Sequence, residues 1–119
     1  MDPLRFVLVG TGNIAGTYAA AVGKVEEAAI VGVVSRDADR ARAFCEENDL
    51  DAEAAAALGA VNHDFDAVIL ATPNGLHHEG AAEAARLGKH VLSEKPLDVT
   101  ADRMDRMIAA CRDAGVRLG

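Results

Sequence analysis

The sequence predicts an α/β fold built on a parallel, doubly wound sheet. Three observations predict it. Short apolar runs alternate with segments of helical character along the 119 residues, the order that builds parallel sheets. The apolar runs are nearly continuous rather than alternating, as strands covered by helices on both faces require. The loops between the two kinds of segment are short. Half the residues are hydrophobic and 26% are charged, so the chain can bury a core, and its length gives one domain, residues 1–119.

The elements follow in order. Residues 6–9 are strand formers and stop at Gly10; residues 13–22 read as a helix. Residues 29–34 form a second strand, ending at Ser35. Asp37 is a good N-cap for a helix with Ala41, Phe44 and Cys45 on one face. Residues 52–60 read as helical because of their alanines, with at most a vestigial strand near Leu50. Residues 67–71 are a clear strand, and residues 78–87 an alanine-rich helix closed by Gly88 at its C′ position. Residues 90–92 form a short strand. Thr100 caps a helix with Met104, Met107, Ile108 and Cys111 at helical spacing, Gly115 ends it, and residues 116–118 begin another strand.

Composition excludes several function classes. A net charge of -7 and a pI ≈ 4.9 argue against a basic nucleic-acid footprint or an electrostatic membrane anchor. Cys45 and Cys111 belong to no CxxC pair, which fits reduced buried thiols better than a disulfide or zinc site. No apolar run approaches the length of a membrane span. Arg5 and the apolar residues after it resemble a signal peptide, but residues 10–13 interrupt the stretch early, so a cytoplasmic location is expected.

The candidate site begins at Gly10-Thr11-Gly12-Asn13-Ile14-Ala15-Gly16, a G-x-G-x-x-A loop between the first strand and the first helix. Gly10 permits the tight turn. Gly12 lacks a Cβ, so a diphosphate can approach the backbone. Small Ala15 and Gly16 let the helix pack near the strand, and the helix N-terminus offers free N–H groups to phosphate. The plain alternative is a glycine turn with no ligand; the strand before and helix after favour a dinucleotide. About 20 residues on, where a carboxylate would accept from the ribose hydroxyls of NAD, stand Ser35 and Arg36. A hydroxyl and a guanidinium suit a 2′-phosphate, and Arg40 could assist. NADP(H) is therefore favoured over NAD(H). The alternative leaves Arg36 solvated and gives the ribose to Asp37.

From Ala71 the chain continues Thr72-Pro73-Asn74, with His77 three residues on, and later Gly88-Lys89-His90-Val91 leading into Glu94-Lys95-Pro96. Together with the glycine loop, these closely resemble the N-terminal half of the glucose–fructose oxidoreductase / inositol dehydrogenase family (Gfo/Idh/MocA). The resemblance covers essentially the whole chain. It implies a Rossmann fold, truncated before the family's second α+β domain. It also implies roles. Gly10, Gly12, Asn13 and Ile14 would line the diphosphate and adenine side, and Ser35 and Arg36 would meet the adenosine ribose. Thr72, Pro73, Asn74 and His77 would line the cofactor toward the nicotinamide half. Glu94 would contact the nicotinamide end, and Lys95 would point into the reaction site. The departure lies between Leu50 and Asp64, where the family's third strand is poorly represented.

Independently of the resemblance, Gly10, Ser35, Thr72 and Glu94 each come just after a predicted strand, and ligands of open parallel sheets bind at those ends. In a dehydrogenase of this type, Lys95 beside a cationic nicotinamide should have a lowered pKa. It would orient a substrate hydroxyl and stabilise charge on its oxygen. The alternative is a surface lysine paired with Glu94. No metal is expected: adjacent His77 and His78 point to different sides of a helix. The function expected is the nucleotide-binding part of an NAD(P)-dependent oxidoreductase acting on a small molecule, a sugar, polyol or related hydroxy compound. A stand-alone binding or sensing module without turnover is the alternative, as is the cofactor half of a redox-assisted lyase or glycosidase. The isolated chain is expected to lack efficient turnover, and its exposed sheet edge invites a homo-oligomer.

Overall fold

The computed structural model describes residues 4–71 and 77–93. Five strands form one parallel sheet: β1 (Leu4–Val9), β2 (Ala28–Val34), β3 (Glu53–Ala55), β4 (Ala67–Leu70) and β5 (His90–Ser93), in the order β3-β2-β1-β4-β5. Helices α1 (Asn13–Gly23), α2 (Ala38–Glu47) and α3 (His77–Arg86) connect them, with a short 3-10 turn at Leu58–Ala60. This is the doubly wound sheet that the sequence predicts. The helix after Thr100, which would carry Cys111, and the strand at 116–118 lie outside the described residues.

Burial explains the strand composition. All four residues of β4 are buried, as are Phe6, Val7 and Leu8 of β1. One apolar cluster joins Phe6, Leu8 and Ile69 to α1 and α2 through Ala15, Tyr18, Val22, Ala41 and Phe44. A second lies on the opposite face and joins Val7, Val68 and Leu70 to Leu58, Phe65 and Ala84. Helix α2 buries Ala41, Phe44 and Cys45, the face read from the sequence. Burial, then the neighbouring Glu46 charge, raises the Cys45 thiol pKa above its ordinary value. Gly88 closes the turn after α3 at φ 71°, the left-handed backbone expected of a helix C′ glycine.

The stretch from residue 52 to 60 corrects the expectation of a helix. Glu53–Ala55 pairs with Gly32, Val33 and Val34 as an edge strand, and only Leu58–Ala60 coils. Alanine favours helix by a few tenths of a kcal/mol per residue, and so short a helix is not stable by itself. Tertiary partners decide instead. The Ala55 carbonyl accepts from Ser35 N at 3.1 Å. The Glu53 carboxylate accepts from the backbone N–H groups of Asn62 and His63, each at 3.0 Å, and anchors the loop that returns to β4.

The amino ends of the strands are stitched by charge. Arg5 donates its backbone N–H (2.9 Å), Nε (3.3 Å) and Nη2 (3.2 Å) to the Asp66 carboxylate. Asp66 N returns a bond to the Arg5 carbonyl at 2.8 Å, and the Asp66 carbonyl accepts from His90 N at 3.2 Å. Lys89 donates Nζ to the Phe65 carbonyl at 2.7 Å and lies 4.6 Å from that ring's centre. Partial burial pushes the Asp66 pKa up, but the hydrogen bonds and charge of Arg5, with the charge of Lys89, outweigh it and leave it lowered. Because the folded-state value lies below the unfolded one, this carboxylate stabilises the fold above the unfolded pKa and loses that contribution as pH falls through the folded value. Asp66→Asn should therefore lower urea stability by about 1 kcal/mol at neutral pH, a modest figure because both partners are partly solvated. The gap between wild type and variant should hold from neutral pH to about pH 5 and close below about pH 4. A gap that stays constant into strong acid would contradict this account.

Candidate functional site

The site is built on a level edge. The last residues of all five strands are in register: Val9 with Val34 and with Leu70, Val34 with Ala55, and Leu70 with Ser93. The next residues in the chain are therefore delivered to one side of the sheet. Strand β1 lies between β2 and β4, where the winding reverses direction, so the crevice of an open α/β sheet falls at its carboxyl end. Two backbone bonds fix that point: Gly10 N to the Val34 carbonyl and Ala71 N to the Val9 carbonyl, each 2.9 Å.

The glycines of the loop do different work. Gly10 has φ 114°, a conformation that side chains with a Cβ rarely adopt, so the turn itself requires it. Gly12 has φ -81° and ψ -169°, ordinary extended backbone. Among the described residues, a Cβ built on it meets nothing within 4 Å. Neither backbone strain nor packing requires glycine at residue 12; open space lies where its side chain would be. Ala15 is fully buried and makes the close approach of α1 to the sheet. Gly16 does not share that role, since a Cβ there would meet only Asn48 Oδ1 at 3.8 Å.

Gly12 is also the N-cap of α1. It offers no side-chain cap, and the first turn holds no acidic residue. The opening N–H groups of a helix have no partner within the helix and carry the positive end of its dipole. Helix α2 differs: Asp37 caps it by accepting from Asp39 N at 2.9 Å, and Asp39 adds a carboxylate to its first turn. The uncapped N-terminus of α1, the missing Cβ at Gly12 and the bend at Gly10 together fit a diphosphate.

At the end of β2, Ser35 is half-buried and its Oγ accepts from Asp37 N at 3.4 Å, while Arg36 is exposed. The structure thus brings Gly10, Gly12, the backbone of Asn13 and Ile14, Ser35 and Arg36 to one edge. His77 opens α3 on the same side of β4. Thr72, Pro73, Asn74, Glu94 and Lys95 lie outside the described residues. Ala55 was not anticipated; its carbonyl holds the Ser35 backbone, and a backbone acceptor leaves no mark in residue identity.

Residues 4–119 match the oxidoreductase family with an NAD-binding Rossmann fold, Gfo/Idh/MocA. The chain belongs to this family. It supplies the family's NAD(P)-binding domain. Among similar proteins are a 1,5-anhydro-D-fructose reductase from Ensifer adhaerens and scyllo-inositol 2-dehydrogenase (NADP(+)) from Bacillus subtilis. Each is 36% identical over 97% of this chain and 35% of its own length. The crystal structure of the WlbA dehydrogenase from Bordetella pertussis, in complex with NADH and UDP-GlcNAcA, is 34% identical with a TM-score of 0.72; the match covers 97% of this chain and 36% of that one. The chain spans about a third of the length of these Gfo/Idh/MocA proteins. Among the described residues, no helix is long and apolar enough to cross a membrane.

The contrast between the two glycines gives a test. Gly12→Ser supplies a good N-cap in an allowed conformation, so stability should rise by up to about 0.5 kcal/mol. The same hydroxyl enters the space of a diphosphate, and NAD(P)H affinity measured by fluorescence titration should fall at least about tenfold. A Gly12→Ser protein that binds as well as wild type would show that the space above residue 12 does not receive the cofactor.

Proposed function

We propose that the chain is the nucleotide-binding part of an NAD(P)-dependent oxidoreductase acting on a sugar, polyol or related hydroxy compound. The observation that carries this reading is Gly12: a glycine with unstrained backbone and open space above it, at the uncapped start of a helix and at the switch point of the sheet. A ligand accounts for it where the fold does not. The polyhydroxylated compounds in the names of the relatives support the substrate class.

In this reading, residues 1–119 form one NAD(P)-binding domain. Gly10, Gly12, Asn13 and Ile14 hold the diphosphate and adenine side. Ser35 and Arg36 meet the adenosine ribose and favour NADP(H), because a guanidinium attracts a 2′-phosphate that a carboxylate would repel. Asp37 is the competing candidate for the ribose, but one of its carboxylate oxygens already caps α2. Thr72, Pro73, Asn74 and His77 line the cofactor toward its nicotinamide half, and Glu94 lies at that end. The nicotinamide, when bound, accepts or returns the hydride. Lys95 orients the substrate hydroxyl and stabilises negative charge on its oxygen as the proton leaves. The partner is a small molecule rather than nucleic acid or membrane, the compartment is cytoplasmic, and the outer edge of β3, which pairs with no strand among the described residues, favours a homo-oligomer.

The experiment pairs the complete reading frame with a panel of sugars and polyols, followed by nicotinamide absorbance. Lys95→Ala should lower kcat on the order of a hundredfold while NADP(H) affinity stays within about twofold, since the side chain serves the substrate oxygen. Full turnover in the variant removes Lys95 from the reaction, and a clear preference for NADH in wild type removes the NADP(H) assignment.

A further inference from the structure

Strand β5 is weakly specified by its own side chains. It runs only from His90 to Ser93, and among the described residues it pairs with β4 alone. Leu92 belongs to the apolar cluster on one face of the sheet, and Val91 packs against the cluster on the other. A slip of one residue would exchange these two, and each face would still receive an apolar side chain. Apolar burial therefore leaves the register of β5 open. Glu94 and Lys95 are the next residues in the chain. A slip in β5 would displace whatever follows by about 3.3 Å and exchange its faces.

The register is set at the turn before the strand. Helix α3 ends in a Schellman motif: Gly88 N donates to the Ala85 carbonyl and Lys89 N to the Ala84 carbonyl, each at 3.0 Å. These bonds tie Lys89 to α3. Its half-buried side chain ties it to the sheet, donating Nζ to the Phe65 carbonyl at 2.7 Å, 24 residues away in sequence, 4.6 Å from the centre of that ring. A lysine at a helix end ordinarily serves the last carbonyls of its own helix; this one bonds the turn that opens β4. Phe65 is buried, and the carbonyl of Asp66 beside it accepts from His90 N at 3.2 Å. Two consecutive residues, Lys89 and His90, are thus bonded to two consecutive residues, Phe65 and Asp66. Only the first bond is charge-assisted, and such bonds are the stronger kind.

We propose that Lys89 is a positioning residue for the reaction: it pins the register of β5 and, through that strand, the placement of Lys95. This rests on the reading above that Lys95 serves the substrate oxygen. Lysine suits the task because its ammonium can bond the Phe65 carbonyl while lying against the Phe65 ring. The clamp sits at the amino ends of the strands, the edge opposite the cofactor crevice, so it contacts neither cofactor nor substrate. It acts on turnover only through β5, and a displacement on the order of 1 Å at the reacting groups is enough to cost rate.

The test has one readout on the ligand-free chain and one on turnover. Lys89→Met keeps most of the apolar stem and removes the cation. Amide hydrogen exchange at His90 and Leu92 should speed up about tenfold, the scale of a lost bond to a charged group. The faster exchange should not depend on low urea, the mark of a local opening of β5. Lys89→Arg should restore the protection. In the complete enzyme, assayed with NADPH and the compound that the sugar and polyol panel selects, Lys89→Met should lower kcat about tenfold and leave the KM for NADPH within about twofold. Added to Lys95→Ala, it should lower kcat no further, because the clamp acts through Lys95. Unchanged exchange in β5, or losses that multiply in the double variant, overturns the role of Lys89. Full turnover in Lys95→Ala alone overturns instead the reading of Lys95 on which the proposal rests.

Discussion

Strand β1 is the constraint on which the site depends. It is hydrogen-bonded on both edges, to β2 and to β4, and its middle residues Phe6, Val7 and Leu8 are fully buried. Each such side chain contributes about 1.5–3 kcal/mol by leaving water. A slip of one residue would exchange the two faces of the strand and place Val7 where Phe6 and Leu8 now pack. The register is therefore held far more firmly than any loop contact could hold it. The consequence appears at the carboxyl end, where Gly10 follows Val9 at a fixed height beside Val34 and Leu70. The helix that starts at Gly12 inherits that height. A ligand site made mostly of backbone N–H groups needs this, because it has no side chain to adjust.

The two ends of the sheet are built for different purposes. At the amino ends, polar groups answer one another: Arg5 with Asp66, Lys89 with Phe65, and Glu53 with the backbone of Asn62 and His63. At the carboxyl end of β1, a helix start is left without a side-chain cap. A single Ser, Thr or Asp in place of Gly12 would stabilise that helix, and its absence is a local departure from the stability optimum. Such departures concentrate where a ligand must supply the missing partner. The stitched amino ends let the opposite edge stay unfinished without loosening the sheet.

Most of this architecture is legible in the sequence because it follows from strong local signals. The apolar runs of β1, β2 and β4, the cap at Asp37 and the C′ glycine at Gly88 all stand where residue type places them. What the sequence hides depends on partners distant along the chain. Glu53–Ala55 is strand only because β2 has a free edge and Asn62 and His63 meet the Glu53 carboxylate; the alanines themselves argue for helix. Gly10, Gly12 and Gly16 look alike as letters. Only their backbone angles and surroundings separate a glycine required by the turn from one that leaves space, and both from one whose small size the packing does not need. At the site, the first half of the reading, Gly10 through Arg36, is brought to one edge, whereas Thr72, Pro73, Asn74, Glu94 and Lys95 remain readings of sequence.

An acidic chain that binds a polyanion needs a physical account, since the net charge of -7 opposes association. Screening supplies part of it: at physiological salt, charges further apart than about 8 Å interact weakly, so the ligand responds to its immediate surroundings. Those surroundings are arranged element by element. At the start of α2 one oxygen of the Asp37 cap accepts from the helix backbone, and Asp39 in the first turn pairs with Arg42. In α1 no acidic residue occupies the first turn. The two helix starts thus differ: that of α1 carries the positive end of its dipole with no acidic residue in its first turn, and that of α2 carries carboxylates already engaged in hydrogen bonds or an ion pair. In the proposed reading, a dinucleotide brings its diphosphate to the glycine loop and its adenosine ribose to the end of β2, and one short stretch of chain, from Gly10 to Arg36, would meet both.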